Sequence, residues 1–307
     1  MTIVELILFQ AINLLVIPLL LVGVVRKAKA RMQMRVGAPV LQPFYDIAKA
    51  IRKSETISDT ASWVFIWAPR VGLGVVAMLA VLVPWAGPLL PPAWSPASNF
   101  LFVLYLLALG RFFALLAALD TGSAFGGLGA SREAMISMLV EPTLVIGLAA
   151  MAVRSGSADL QTMFALASSP VVAVLAGLAL FLASLAELSR MPVDDPTTHL
   201  ELTMVHEAMV LENSGTSLAL IEYASAVRMC VFFGLATQAF LHAWPGFHDL
   251  SLGLQYAIGV ICLFAAGIIL AGAEGIAVKL KWRSVPNFLA FAAVSSFLAA
   301  LIAVTQR

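Results

Sequence analysis

Arg111, Glu141, Glu187, Arg190, Glu222 and Arg228 lie within or at the ends of long apolar runs, where ionisable side chains are out of place. At the centre of a membrane helix such a group costs at least about 2.5–3.5 kcal/mol on insertion scales. These residues therefore face the protein interior, pair with one another or line a water path. Acids and bases alternate along the chain, which leaves two chemistries open. In the first, neutralised pairs hold helices together: Glu187 and Arg190 are three residues apart, and Glu222 and Arg228 six, roughly one and a half turns. In the second, a carboxylate without a permanent partner loads and releases a proton, because removal from water disfavours its charged form. A series of such groups conducts protons.

The stretch 190–215 adds an acidic loop to an otherwise apolar chain, with Asp194, Asp195, Glu201, Glu207 and Glu212 beside His199 and His206. Its spacing matches no metal motif. His206-Glu207 lacks the second histidine of a zincin, and His199 and Glu201 lack the cysteine pair of a deaminase. Cys230 and Cys262 are the only cysteines, whereas an iron-sulfur cluster usually takes four thiolates. Gly122, Gly126, Gly127 and Gly129 are not followed by the Lys-Ser/Thr of a phosphate loop, so a tight turn is expected over 120–133 in place of a nucleotide site. No Ser or Cys sits in a nucleophile elbow, which removes the hydrolase reading.

Composition says what must carry these residues. The chain is 61% hydrophobic and 11% charged, with a mean hydropathy of +0.98. A spanning helix needs roughly 20 mainly apolar residues, and such runs cover 3–25, 71–90, 100–119, 134–153, 170–188, 218–242, 252–273 and 286–304. The expectation is an all-α polytopic membrane protein of about eight transmembrane helices, forming one integral membrane domain over 1–307. The first run opens with Glu5 in place of a basic segment and meets an Arg/Lys cluster with no small-residue cleavage site, so it is expected to be retained. Pro88, Pro91, Pro92 and Pro96 mark an outer loop of turns. No inverted or parallel repeat is visible, which weighs against a self-sufficient carrier.

Charge sets the orientation. Arg26, Lys27, Lys29, Arg31, Arg35, Lys49, Arg52 and Lys53 crowd the first loop, and the positive-inside rule puts it in the cytoplasm. Arg132, Arg190 and the Lys279, Lys281, Arg283 group fall in the other odd-numbered loops, while the even-numbered loops offer only Arg154. Both termini are then expected on the outer, periplasmic side of the cell's inner membrane. Within the first loop Val40, Leu41, Phe44, Ile47, Ala48 and Ile51 recur at helical spacing, with Gln42, Asp46, Lys49, Arg52 and Lys53 on the other side. This predicts a cytoplasmic amphipathic helix on the membrane surface, anchored to anionic lipid or docking a soluble partner.

The run Arg31-Met32-Gln33-Met34-Arg35-Val36-Gly37, with Gln42-Pro43, Asp46, Lys49 and Glu55 after it, resembles the first cytoplasmic loop of the respiratory complex I subunit 1 family. That family includes the membrane subunit of group 4 nickel-iron hydrogenases. Arg132 with Glu141 nine residues on has the family's spacing, and Glu187, Arg190, Pro192-Val193-Asp194, Glu201 and Glu222-Tyr223 form a third block. Asp120-Thr121-Gly122-Ser123, Gly129-Ala130-Ser131-Arg132-Glu133 and Glu141-Pro142 are similar to the formate hydrogenlyase subunit 4 and hydrogenase-4 component C branch. The stretch between Gly37 and Gln42 is shorter than in the quinone-reducing complexes. Departures fall in the acidic loop, where the family's Pro-Phe-Asp is Pro192-Val193-Asp194 and two acidic positions are Thr197 and His199. A later Glu-Tyr-Ser-Gly of the family corresponds either to Glu212-Asn213-Ser214-Gly215 or, without a gap, to a register with Met209 in place of the glutamate.

The resemblance implies a membrane anchor and coupling subunit, with no active site of its own, that links redox chemistry in a cytoplasmic arm to proton or sodium movement. Its partners would be hydrogenase-like large and small subunits, a ferredoxin-like iron-sulfur subunit and antiporter-like membrane subunits. Nickel-iron and iron-sulfur centres would belong to those partners, with no cofactor in this chain and no nucleic acid. Glu141, Glu187, Asp194, Glu201 and Glu222 would form the proton path, and Arg111, Arg190 and Arg228 would tune its charge. Arg31, Gln33, Arg35, Asp46 and Lys49 would receive the soluble arm. Three rivals stay open: a quinone-binding subunit with a chamber under the first and fifth-to-sixth loops, a stand-alone ion transporter, and a passive scaffold of satisfied pairs.

Overall fold

A lipid core offers no water to solvate backbone N–H and C=O groups, so each crossing segment must satisfy them internally as a helix. The structure, a computed structural model, describes residues 3–87, 97–166, 169–194 and 204–306, and these are mostly helical with no strand among them. Among the described residues, eight helices are long and apolar enough to cross a bilayer. In chain order with three short ones they are α1 (Ile3–Met32), α2 (Gln42–Ile51), α3 (Trp63–Leu82), α4 (Phe100–Asp120), α5 (Ala124–Ser155), α6 (Leu160–Met163), α7 (Pro170–Glu187), α8 (His206–Val210), α9 (Gly215–His242), α10 (Leu252–Ile276) and α11 (Val285–Thr305). The short elements are α2, α6 and α8.

Helix α7 forms the centre, packed between α5, α9 and α11. Its small residues Ala173, Ala176, Gly177, Ala179 and Ala183 are buried and let these neighbours approach. On one flank α3 lies against α4 and α9; on the other α1 pairs with α10. At one end Arg154 Nη1 donates to the Gln306 carbonyl at 2.9 Å. At the opposite end the odd-numbered loops meet: Lys29 reaches Glu274 at 3.0 Å, Arg132 donates to the Met204 carbonyl at 3.1 Å, and Leu280 N donates to the Pro192 carbonyl at 2.9 Å. The basic residues thus share one end of the bundle, opposite the chain termini.

Three elements differ from the hydropathy reading. Helix α1 continues to Met32, well past the expected end at 25, because its last residues are basic helix formers outside the apolar run. Helix α3 starts at Trp63 and ends at Leu82, shifted toward the N-terminus from 71–90. Pro69 and Arg70 break the apolar window, yet Ser62 caps the helix by accepting from Val64 N, and Arg70 curls over Trp67 with its guanidinium 5.8 Å from the ring centroid. The glycine segment expected as a turn over 120–133 turns only around Gly122 and is helical from Ala124. Two of its glycines serve packing instead: a Cβ on Gly126 would lie 2.6 Å from the Ala118 carbonyl oxygen, and one on Gly129 would lie 2.8 Å from that of Val205. The proline-rich outer loop (Pro88, Pro91, Pro92, Pro96) lies outside the described residues.

Candidate proton-conducting site

Helices α4, α5 and α7 bring three of the sequence-singled charges together. Arg111, only 6% exposed, donates Nη2 to both carboxylate oxygens of Glu187 at 2.5 Å and Nη1 to Glu141 Oε1. Charge-assisted bonds of this kind are among the strongest side-chain contacts. Glu187 is buried, whereas the Glu141 side chain is 48% exposed on the outer surface of α5. Glu141 stands beside Met138 and Met135, both exposed, about midway along its helix.

Neither of the local pairs that spacing suggests is formed. Helix α7 ends at Glu187 and the chain turns through Ser189 at φ +48°, so helical spacing no longer relates Glu187 to Arg190. Arg190 instead lies 3.5 Å from Glu274. Glu222 is exposed toward a cavity, where Arg26 and Asp46 are the charges acting on it, while Arg228 has a buried Nε with no hydrogen-bond partner.

Two buried acids escape the sequence reading. Glu274, 5% exposed, holds Lys29 at 3.0 Å and Arg190 at 3.5 Å, tying α1 and the fifth loop to α10. The expected seventh span stops at 273, which leaves this residue outside the charges at depth. Glu133, 4% exposed, lies within the electrostatic reach of Glu187, Arg111, Arg228 and Asp194. It lies in the segment whose glycines suggest a turn.

A cavity of about 250 Å³ opens between α1, α8 and α9, walled by Arg26, Lys29, Arg190, Glu207, Glu222 and Glu274. A second, of about 60 Å³, lies between α3, α4, α8 and α9, with Arg228 and Asn213 on its wall. His206 lines both. Burial, followed by the Arg228 guanidinium, pulls its imidazole down to about 4, so the ring is neutral at ordinary pH. Burial, with the Glu222 and Asp194 charges behind it, holds the Glu207 carboxyl above its usual range.

Asp194 is buried and accepts from Lys279 Nζ at 2.5 Å and Val205 N at 3.0 Å, latching the fifth loop to the seventh. Glu201, with Asp195, Thr197 and His199, lies outside the described residues. Of the docking candidates, Arg31, Gln33, Arg35 and Lys49 are exposed. Asp46 is tied down by Arg26 at 3.3 Å and Gln42 at 2.9 Å, so it positions α2 and is not a free contact. Helix α2 rests on its neighbours through Pro43, with Phe44 and Ile47 half-buried, and leaves Leu41, Tyr45 and Ile51 exposed. Among the described residues no group of three or more His, Cys, Asp or Glu is arranged to hold a metal ion.

Comparison with known proteins agrees with this architecture. Formate hydrogenlyase subunit 4 of Escherichia coli K12 is 31% identical over 309 residues, covering 95% of this chain and 98% of that protein. Hydrogenase-4 component C of the same organism is 34% identical over 236 residues, covering 76% of this chain and 73% of its own length. A chain in the structure of the membrane-bound sulfane sulfur reductase, an archaeal respiratory membrane complex, superposes with a TM-score of 0.80 at 17% identity, covering 97% of this chain and 99% of that one. That likeness speaks for the fold. Residues 4–305 match the family model described as NADH dehydrogenase, and the chain belongs to the NADH dehydrogenase family.

Proposed function

We propose that this chain is the membrane-anchor and coupling subunit of a multisubunit redox complex of the hydrogenase or formate hydrogenlyase kind. It transmits events in a cytoplasmic arm to proton or sodium movement through antiporter-like membrane neighbours. The arm would consist of hydrogenase-like large and small subunits with a ferredoxin-like iron-sulfur subunit. The observation that carries this is the course of the charges through the bundle. They begin in the cavity that Glu222, Glu207 and Glu274 wall at the basic end, continue through Arg228, and finish at the Arg111, Glu187 and Glu141 cluster. Glu141 ends that course on the side of the bundle at membrane depth, half exposed. An ionisable group facing lipid is costly, so this face suits a neighbouring membrane subunit that continues the path.

At the basic end the exposed Arg31, Gln33, Arg35 and Lys49, with Met34 and Val36 between them, form a surface for the soluble arm. With the basic loops facing the cytoplasm, both termini lie on the periplasmic side. A quinone site is the second reading, favoured by the position of the larger cavity beneath the first and fifth loops. Its charged walls suit water and ions better than an apolar ring, since ligand pockets for such molecules are mostly apolar.

Glu141→Gln, introduced into the complex in its native membrane and recovered in mild detergent, tests the reading. Intact assembly with redox activity retained and ion translocation lost is the expected outcome. Normal translocation would sink it.

A further inference from the structure

Charge balance around Arg111 singles out Glu133. Among the described residues Arg111 and Arg228 bring two positive charges to the cluster, while Glu133, Glu141 and Glu187 bring three carboxylates. Asp194 does not alter this balance, because Lys279 stands 2.5 Å from it. An uncompensated charge in a low-dielectric interior is strongly unfavourable, and carboxylates that share such a site take up a proton between them. Glu187 grips Arg111 with both oxygens at 2.5 Å and Glu141 takes its other nitrogen, so each of these carboxyls already has its partner in a charge-assisted bond. Glu133 is 4% exposed, and its Oε2 has no hydrogen-bond partner. The buried Nε of Arg228 has none either.

We infer that Glu133 holds the cluster's resting proton and is the relay between the cavity walled by Arg228 and His206 and the Glu187–Arg111–Glu141 group. The step is a proton transfer with no electron movement. Glu133 releases its proton toward Glu187 when the cluster's charge changes, and takes a replacement from the cavity that Arg228 and His206 wall. Helix α5 can hold the residue there because Gly129, one turn earlier, lets the Val205 carbonyl approach to where a Cβ would lie 2.8 Å away. This inference rests on the ion-path reading above, and its test separates the two.

The test uses the intact complex in membranes and compares Glu133→Gln, Glu133→Asp and Glu141→Gln. Glutamine has the shape of a protonated glutamate, so Glu133→Gln is expected to assemble at the native yield; failure to assemble would show that the site needs a charge and would overturn the inference. Infrared difference spectra in H₂O and D₂O are expected to show a protonated-carboxyl band that vanishes in Glu133→Gln and persists in Glu141→Gln. A band that survives in Glu133→Gln places the proton elsewhere and overturns it. The ratio of ions moved to electrons transferred is expected to fall at least tenfold in Glu133→Gln and to recover substantially in Glu133→Asp. An unchanged ratio in Glu133→Gln removes the relay role. Loss of translocation in Glu141→Gln alone would uphold the ion path without Glu133, whereas normal translocation in Glu141→Gln would defeat the ion path while the infrared band still decides the proton's address.

Discussion

His206 touches both cavities, and its chemistry follows from where it sits. Burial and Arg228 lower its imidazole from 6.5 to about 4, so the folded protein binds fewer protons than the unfolded chain between those values. Stability therefore falls as pH drops through that window and is fully present above it. At about 1.36 kcal/mol per unit the ceiling is roughly 3 kcal/mol. Glu207 acts in the opposite sense, since a carboxyl held above its usual range gains protons on folding and offsets part of the loss on acidification. The contribution of His206 is isolated by difference: the thermal unfolding midpoint of the His206→Gln complex is expected to vary less than the native one between neutral pH and about pH 4. Equal slopes would mean that the imidazole takes up its proton alike in the folded and unfolded chain.

Helix α2 owes its position to a close approach more than to its ion pair. A Cβ on Gly23 would lie 1.9 Å from the Val40 carbonyl oxygen, at the entry to α2. The Arg26–Asp46 pair at 3.3 Å is largely exposed and contributes about 0–1 kcal/mol, whereas overpacking typically costs about 1–3 kcal/mol. Gly23→Ala is thus expected to lift α2 from α1 while the eight long helices stay folded. Unchanged helical circular dichroism, faster proteolysis within 33–56 and weaker retention of soluble subunits are the expected results; native protease resistance would refute the steric account. The long helices are legible in the sequence because each is a sustained apolar run, and α2 because its apolar residues recur at helical spacing. Helix α8 is not, since five residues carry too little periodicity to be seen. Pro69 and Arg70 hide the start of α3, and the helical Gly126 and Gly129 resemble turn formers because their role is contact with other segments. Arg111, Glu141 and Glu187 are each visible as a charge in an apolar run. Their meeting is not, because it depends on how α4, α5 and α7 pack. Glu274 and Glu133 escape for the same kind of reason: each lies just beyond an expected span, so its depth emerges only from the packed bundle.

The whole molecule has two unlike ends, and that polarity tells the coupling reading from a self-sufficient carrier. One end carries Arg26 to Lys53, Arg190 and the Lys279 to Arg283 group, joined by Lys29–Glu274 and Lys279–Asp194. At the other, Arg154 and the Gln306 carbonyl meet near the C-terminus. Single cysteines report orientation directly, because Cys230 is buried and Cys262 lies on a membrane-spanning helix, out of reach of a charged maleimide. Met34→Cys, at a position 95% exposed, is expected to react only in inverted vesicles stripped of soluble subunits, and Ala158→Cys only from the outside of intact cells. Reversed labelling would put the basic loops outside and leave no place for a cytoplasmic arm. The same Met34→Cys site also reports docking: in inverted vesicles with the complex intact it should be protected, and stripping the soluble subunits with chaotrope should expose it. A carrier working alone has nothing to strip, so equal labelling before and after treatment would favour that alternative even with the orientation as expected.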